Sequence, residues 1–347
     1  MTTQSLAPER SKITVFGAGS FGTAVAHVLA KNGRDVVLWA RSQTIADEIN
    51  KKKTNEKYLK GVALAAIKTV SNLDASIENR DFFIFAIPCQ HIRDFLLPIA
   101  SKLPNGACLV NLAKGIELAT FKAPSQIFEE VLGPSLRQRF ATISGPTFSL
   151  EICQDMPTGA VVASYSEKNA ENVQRVLSTP RFRLYRLTDV KGAELGGALK
   201  NVMAIGVGIA EGLGFGLNTR AGLITRCLHE MTELGLALGA NARTFSGLSG
   251  IGDLILTCTG DLSRNRQVGL RLGRGESLSS ILGSLTHVVE GLPTTEAVYN
   301  LSRKLGIDMP NTEQVYKILY ESLPPKEAVN ELLSRDLKAE YEKESHP

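Results

Sequence analysis

What this sequence has little of already narrows its class. Its five cysteines (Cys89, Cys108, Cys153, Cys227 and Cys258) are odd in number and far apart, and none forms a Cys-x-x-Cys pair. Neither a zinc site nor a disulfide framework is therefore expected, and no metal centre is assigned. Long apolar runs are missing as well. The longest uncharged stretch with a helical pattern, 201–210, is about half of what spans a bilayer. The start of the chain, Met1 to Lys12, is polar and lacks the apolar core of a signal peptide. Charge of one sign is scarce too: 39 Lys and Arg against 35 Asp and Glu leave a formal +4. Over 347 residues that surplus is too thin for a duplex-binding face, which needs clustered basic residues. Internal repeats and low-complexity segments are absent. These deficits predict a soluble protein of a reducing, cytoplasmic compartment, with no nucleic-acid partner and no stable membrane insertion.

What is present is ordinary globular material in unusual order. Apolar residues make up 43% and charged residues 21%, which excludes disorder and fibrous repeats. At roughly 100–200 residues per domain, a chain of 347 residues is expected to form two. Short apolar runs over 13–16, 36–39, 82–87, 108–112, 141–144 and 160–163 each read as buried strands bounded by Gly, Pro or polar residues. Amphipathic stretches such as 20–32 and 43–51 lie between them. Strands alternating with helices predict an α/β domain with a parallel, doubly wound, Rossmann-like sheet. Beyond about residue 187 the strand signals vanish. The pattern over 191–211, 221–238, 267–274, 277–282, 294–305 and 312–322 is helical. The expected plan is a dinucleotide-binding domain over 1–189, an all-helical domain over 190–335, and a charged, fraying tail over 336–347.

The 31 glycines are not scattered evenly. Gly17-Ala-Gly19-Ser-Phe-Gly22 follows a predicted strand directly and opens a helix, the context in which Gly-x-Gly-x-x-Gly binds a dinucleotide. Gly17 permits the tight turn, Gly19 lets the backbone approach a pyrophosphate, and Gly22 lets the helix close on the strand. The phosphates then meet free N–H groups and the positive end of the helix dipole. The plainer alternative is a tight turn without a ligand. At the end of the second strand, Leu38-Trp39-Ala40-Arg41 lacks the carboxylate that binds a ribose 2′-hydroxyl, whereas Arg41 offers a fork for a 2′-phosphate. Arg34 is a second candidate for that phosphate. NADPH is the expected cofactor, with NADH use left open.

Three further features point to chemistry. Lys114 follows the strand over 108–112 and would project a cation into the cleft where ligands of open sheets sit. A solvated lysine is the alternative. Lys200 and Asn201 interrupt a helix that is otherwise apolar nearly all round. A buried charge is unfavourable unless paired or working, and desolvation would lower such a Lys from ~10.4 towards neutrality, where proton transfer is efficient. The alternative is a snorkelling Lys. Finally, Ser263 suits an N-cap, which puts Arg264 and Asn265 in the first turn of a helix. A cation there opposes the dipole, a conflict that a bound phosphate resolves.

Together these pieces resemble the bacterial-type NAD(P)-dependent glycerol-3-phosphate dehydrogenases. The resemblance rests on Gly17-Ala-Gly-Ser-Phe-Gly-Thr-Ala, Ala113-Lys-Gly115, Ser144-Gly-Pro-Thr-Phe, Ala198-Leu-Lys-Asn201 and Asn218-Thr-Arg220. It continues in Gly247-Leu-Ser-Gly-Ile-Gly-Asp253-Leu, Thr257-Cys, Ser263-Arg-Asn265 and Val289-Glu-Gly291. Two departures are visible: Phe21 stands where many members carry Trp, and Ser149 where Ala is usual. The resemblance implies reduction of dihydroxyacetone phosphate to sn-glycerol 3-phosphate, feeding phospholipid synthesis. It also implies that Ser20, Phe21, Arg41, Lys114, Ser149, Arg264, Val288 and Glu290 meet the cofactor. Substrate would be held by Lys114, Gly145, Thr147, Lys200, Asp253, Ser263, Arg264 and Asn265, with Lys200 transferring the proton and Lys114 assisting. Assembly as a homodimer is left open. Two rivals remain. One is a reductase of the same plan acting on a β-hydroxy acid or a ketopantoate-like carboxylate, which would not need the Ser-Arg-Asn turn. The other is a dinucleotide sensor, which would have no reason to bury Lys200.

Overall fold

The computed structural model describes residues 11–285, 288–337 and 339–340. The polar lead over 1–12 and the tail over 336–347 fall largely outside them. Eight strands form one sheet: β1 (Lys12–Phe16), β2 (Asp35–Trp39), β3 (Lys68–Val70), β4 (Phe82–Phe85), β5 (Cys108–Asn111), β6 (Phe140–Ser144), β7 (Thr158–Ser164) and β8 (Phe182–Leu187). Their order is β3-β2-β1-β4-β5-β6-β7-β8. Helices α1 (Ser20–Lys31), α2 (Gln43–Lys52), α3 (Leu73–Ile77), α4 (Ile92–Leu96), α5 (Pro124–Leu132), α6 (Ser149–Cys153) and α7 (Glu167–Leu177) connect them. Apolar clusters fill the layers on both faces of the sheet, one around Val15, Leu38 and Ile84 and the other around Phe16, Phe83 and Phe85.

Two sheet features depart from the expected pattern. The sheet is not parallel throughout, because β7 pairs with β6 antiparallel, Ser144 lying opposite Val161. A parallel return needs a crossover of a dozen or more residues that travels the strand's whole length. The connection from Ser144 to Thr158 is long enough by count. Its one regular element is the five-residue α6, about 7.5 Å of helix, which does not carry the chain back along the strand, so it turns back instead. Strands β3 and β8 were not expected. β3 has three residues, and β8 is an edge strand whose burial alternates, with Phe182 and Leu184 inside and Arg183 and Tyr185 outside. A search for continuous apolar runs does not find such a strand. Its arginines also discourage edge-to-edge pairing.

The rest of the chain is helical among the described residues: α8 (Val190–Gly212), α9 (Leu217–Ala237), α10 (Ala242–Phe245), α11 (Asp253–Thr259), α12 (Arg264–Gly273), α13 (Leu278–Gly283), α14 (Gly291–Leu305), α15 (Pro310–Tyr320) and α16 (Pro325–Leu333). α8 is the axle. Its length and composition would suit a membrane crossing, yet 94% of its most apolar window is buried inside the protein. Against α12 it packs backbone to backbone. A Cβ on Gly208 would sit 2.3 Å from Arg266 O, and one on Gly269 would sit 2.0 Å from Ile205 O. Gly212 and Gly273, one turn further along each helix, are as tightly seated. This interlock fixes where the start of α12 stands relative to Lys200.

Candidate active site

Because β1, β2, β4, β5 and β6 run parallel, their carboxyl ends bring Gly17, Arg41, Lys114 and Gly145 to one edge of the sheet. The glycines of the first turn have separate reasons. Gly17 has φ +107° and no room for a Cβ, which would lie 2.5 Å from Ala86 O. A Cβ on Gly22 would strike Gly17 O at 2.0 Å. Gly19 is different: its φ is an ordinary −74°, and nothing in the protein lies within 4 Å of its missing Cβ. No protein contact requires Gly19, so the space in front of it suits an outside group approaching the N-terminus of α1, as a pyrophosphate does. Ser20 is tied down, its Oγ donating to Tyr58 O at 2.8 Å, and Asn55 Nδ2 reaches Ala18 O at 3.0 Å from the same flanking segment. Phe21 is half-buried against the core.

Across the cleft, two lysines share one carboxylate. Lys114 Nζ donates to Asp253 Oδ2 at 2.6 Å and to Gly145 O at 2.9 Å. Lys200 Nζ donates to Asp253 Oδ1 at 2.7 Å and to Thr257 Oγ1 at 2.8 Å. Asp253 is fully buried and Lys200 nearly so, which rules out the snorkelling alternative. Burial pulls Lys114 down to about 8, Asp253 opposing that shift and the Lys200 cation adding to it. Thr147 Oγ1 donates to Gly145 O and stands 3.5 Å from Lys114 Nζ. Gly145 and Thr147 therefore seat the Lys114 amine. The turn bearing Lys114 is itself clamped: Gln90 Nε2 donates to Ile116 O at 2.7 Å, and Leu118 N donates to Gln90 Oε1 at 3.0 Å.

At the start of α12, Ser263 is the N-cap, its Oγ accepting from Arg266 N at 3.2 Å. The Asn265 side chain is also engaged by the protein, donating to Asn201 Oδ1 at 2.9 Å and accepting from Gly291 N at 3.0 Å. Each side chain keeps one donor for a ligand, the Ser263 hydroxyl hydrogen and the second Asn265 Nδ2 hydrogen, neither of which has an acceptor among the described residues. The turn leaves backbone open as well: the N–H groups of Arg264 and Asn265 have no acceptor among the described residues. The Arg264 side chain is exposed and donates to Val288 O at 3.0 Å, bringing the segment before α14 against the turn. Val288 is itself exposed.

Glu290 extends from that segment towards the sheet. Its Oε2 would lie 3.5 Å from a Cβ on Gly115, is buried, and has no hydrogen-bond partner. Burial raises this carboxyl to about 7, with Arg264 and a backbone N–H of Cys89 opposing the shift. A buried, unpartnered oxygen between the two domains fits a bound group that brings N–H or O–H donors. Ser149 opens α6, half-buried. Arg41 is exposed beyond β2 with no partner among the described residues, and Ala40 beside it is fully buried. Arg34 does not join it. It precedes β2, a five-residue strand away (about 17 Å), and donates to Arg175 O. Arg41→Asp is therefore expected to weaken NADPH by about 10–150-fold, the worth of a charge-assisted hydrogen bond, and NADH far less. Paired binding titrations check this, and equal losses would show that Arg41 reads no 2′-phosphate.

Residue-by-residue reading missed Thr257 as a partner of Lys200, Gln90 as the clamp on Lys114, and Asn201 as the brace of Asn265. The only local signal was the Asp253/Thr257 spacing, which puts both on one face of a helix. That helix, α11, is seven residues long and follows a π-helical turn over Leu248–Gly252.

Fold and site define the class: a two-domain dehydrogenase that works with a nicotinamide dinucleotide. The chain belongs to the NAD-dependent glycerol-3-phosphate dehydrogenase family, matching the N-terminal family model over residues 12–170 and the C-terminal one over 189–330. It is 51% identical over 330 residues to the glycerol-3-phosphate dehydrogenase [NAD(P)+] of Solidesulfovibrio magneticus, covering 95% of this chain and 100% of that one. With the corresponding protein of Geobacter sulfurreducens the identity is 48%, covering 95% and 98%. The crystal structure of glycerol-3-phosphate dehydrogenase from Coxiella burnetii superposes with a TM-score of 0.89 at 36% identity, covering 94% of this chain and 99% of that one. A ketopantoate reductase from Ralstonia eutropha shares the fold at 15% identity and a TM-score of 0.57, covering 92% and 99%.

Proposed function

We propose that this chain reduces dihydroxyacetone phosphate to sn-glycerol 3-phosphate with NADPH, NADH also serving, and that the product feeds glycerophospholipid synthesis. The observation that carries the reading is the pair of amines, one from each domain, held on Asp253. Residues 1–189 would hold the cofactor through Gly17, Gly19, Ser20, Phe21, Gly22, Arg41, Lys114 and Ser149, with Arg264, Val288 and Glu290 closing from the domain over 190–335. When bound, the reduced nicotinamide supplies the hydride that becomes the new C–H bond at C2. An ammonium has three N–H donors, and Lys200 spends two on Asp253 and Thr257. The third is left for the substrate carbonyl oxygen, to which Lys200 Nζ gives its proton as the alkoxide forms. Lys114 Nζ adds positive potential at that oxygen, an effect that grows as charge develops. The open amides of Arg264 and Asn265, the positive end of α12 and the Arg264 guanidinium bind the phosphate. That binding energy orients C2. The buried, unpaired cysteines suit a reducing cytoplasm.

The test is NADPH oxidation with dihydroxyacetone phosphate, dihydroxyacetone and ketopantoate side by side. Dihydroxyacetone phosphate should be used far better than either of the others. Preference for ketopantoate would overturn the reading in favour of a carboxylate reductase. At saturating NADPH, Arg264→Ala should raise KM for dihydroxyacetone phosphate by about 10–150-fold, as loss of a charged hydrogen bond does, and change dihydroxyacetone little. Its stability should shift by less than about 1 kcal/mol, because relief at the helix dipole offsets the lost bond to Val288. Equal losses on both substrates would make Arg264 structural.

A further inference from the structure

Two residues beyond Arg264, Arg266 belongs to the same first turn of α12, yet its side chain is only 6% exposed. Its Nε and Nη2 donate to the two oxygens of Glu211 at 3.0 and 2.6 Å, and its Nη1 donates to Asp261 Oδ1 at 2.9 Å. Glu211 lies in the last turn of α8, and Arg220 of α9 stands 3.8 Å from the same carboxylate. Asp261 is in the exposed loop between α11 and α12, where Leu262 is also exposed. That loop therefore has little apolar burial to hold it, and such segments open at low free energy. The α8–α12 glycine interlock fixes the body of α12 but ends at its first turn, where Gly208 meets Arg266 O. Beyond it, Asn265 is braced on Asn201 and Gly291 and Gln267 Nε2 donates to Asp261 O, but the charged fastening of the loop is the Arg266 guanidinium, which ties Asp261 to Glu211. A bidentate Arg–carboxylate pair fixes orientation as well as distance, which a single ammonium does not.

We propose that Glu211 is a positioning residue for phosphate binding. Acting through Arg266, it holds the 261–265 segment so that the Arg264 and Asn265 amides and the Arg264 guanidinium converge on one anion. Arg220, of the Asn218-Thr-Arg220 motif, steadies the Glu211 carboxylate. The inference rests on the phosphate-binding role proposed above for the α12 turn.

The test uses Glu211→Gln, Arg266→Lys and Arg220→Gln in the full-length protein. KM and kcat are measured with dihydroxyacetone phosphate and with dihydroxyacetone, and the affinity for inorganic phosphate is measured by calorimetry without substrate. In Glu211→Gln, KM for dihydroxyacetone phosphate and the Kd for inorganic phosphate should both rise about tenfold or more, with kcat within about twofold, since displacing a binding group by about 1 Å has effects of this size or larger. Turnover of dihydroxyacetone should stay as in the wild type. Arg266→Lys should act in the same direction, because an ammonium cannot grip Glu211 in two places and Asp261 as well. Arg220→Gln should show a weaker effect. Unchanged phosphate affinity in Glu211→Gln, or parallel losses on both substrates, would overturn the proposal and leave the cluster a support of the fold. A wild-type protein that binds inorganic phosphate but does not reduce dihydroxyacetone phosphate would refute the functional reading alone. A wild type that reduces dihydroxyacetone phosphate but does not bind inorganic phosphate would overturn the anchoring role of the α12 turn, and this proposal with it, and leave the reaction standing.

Discussion

Lys200→Ala is expected to leave a folded protein that still binds NADPH but turns over ~100-fold more slowly or worse, the usual contribution of a positioned general acid. The structure explains why the fold should survive. Removing the ammonium does not orphan Asp253, whose Oδ2 keeps Lys114 at 2.6 Å, and Thr257 Oγ1 keeps its bond to Asp253 O. Nothing buried is left charged and alone, the situation in which breaking an ion pair is most damaging. The variant also has a signature in pH. The Lys200 cation is one of the causes that lower Lys114 to about 8. Without it the Lys114 amine is harder to deprotonate, so the alkaline limb of the residual activity should move to higher pH. A variant keeping more than about a tenth of wild-type kcat would remove Lys200 from proton transfer. An alkaline limb that stays in place would show that the two amines do not interact through Asp253.

The second large effect concerns stability. Gly→Ala inside an exposed helix normally stabilises by about 0.5–1 kcal/mol, and Gly222, in α9 with nothing within 4 Å of its missing Cβ, should behave so. Gly269→Ala should do the reverse. Its Cβ would meet Ile205 O at 2.0 Å and Ile209 N at 2.9 Å, atoms of a helix backbone that no rotamer change can move aside. Helices α8 and α12 must separate, and overpacking of this kind destabilises by roughly 1–3 kcal/mol or more. Because the interlock also sets the distance from Lys200 to the start of α12, KM for dihydroxyacetone phosphate should rise as well. Urea midpoints of the two variants decide the matter. Equal midpoints would mean that α12 has room to shift and that the close glycine contacts are incidental.

Several parts of this protein were written locally, and those were legible. The Gly17–Gly22 turn, the apolar runs of β1, β4 and β5 and the Ser263 cap each depend on residues within one or two turns of one another, where sterics and hydrogen bonding act without help from the rest of the chain. Lys200 stood out because a charge in an all-apolar helix is anomalous wherever the helix ends up. The sequence left undecided what that charge meets. Asp253 lies 53 positions from Lys200 and 139 from Lys114, and only the docking of the helical domain on the sheet edge makes one carboxylate serve both. The same holds for Arg34 and Arg41, which look alike in sequence but stand at opposite ends of β2. It holds for Asn201 and Asn265, joined across α8 and α12, and for the reversal of β7, decided by the shortness of α6. Pattern along a chain reports the period of burial on each element. Which polar groups end up sharing a desolvated space is decided by packing between elements distant in sequence, and that packing set the pairing of the two lysines and lowered Lys114 at this site.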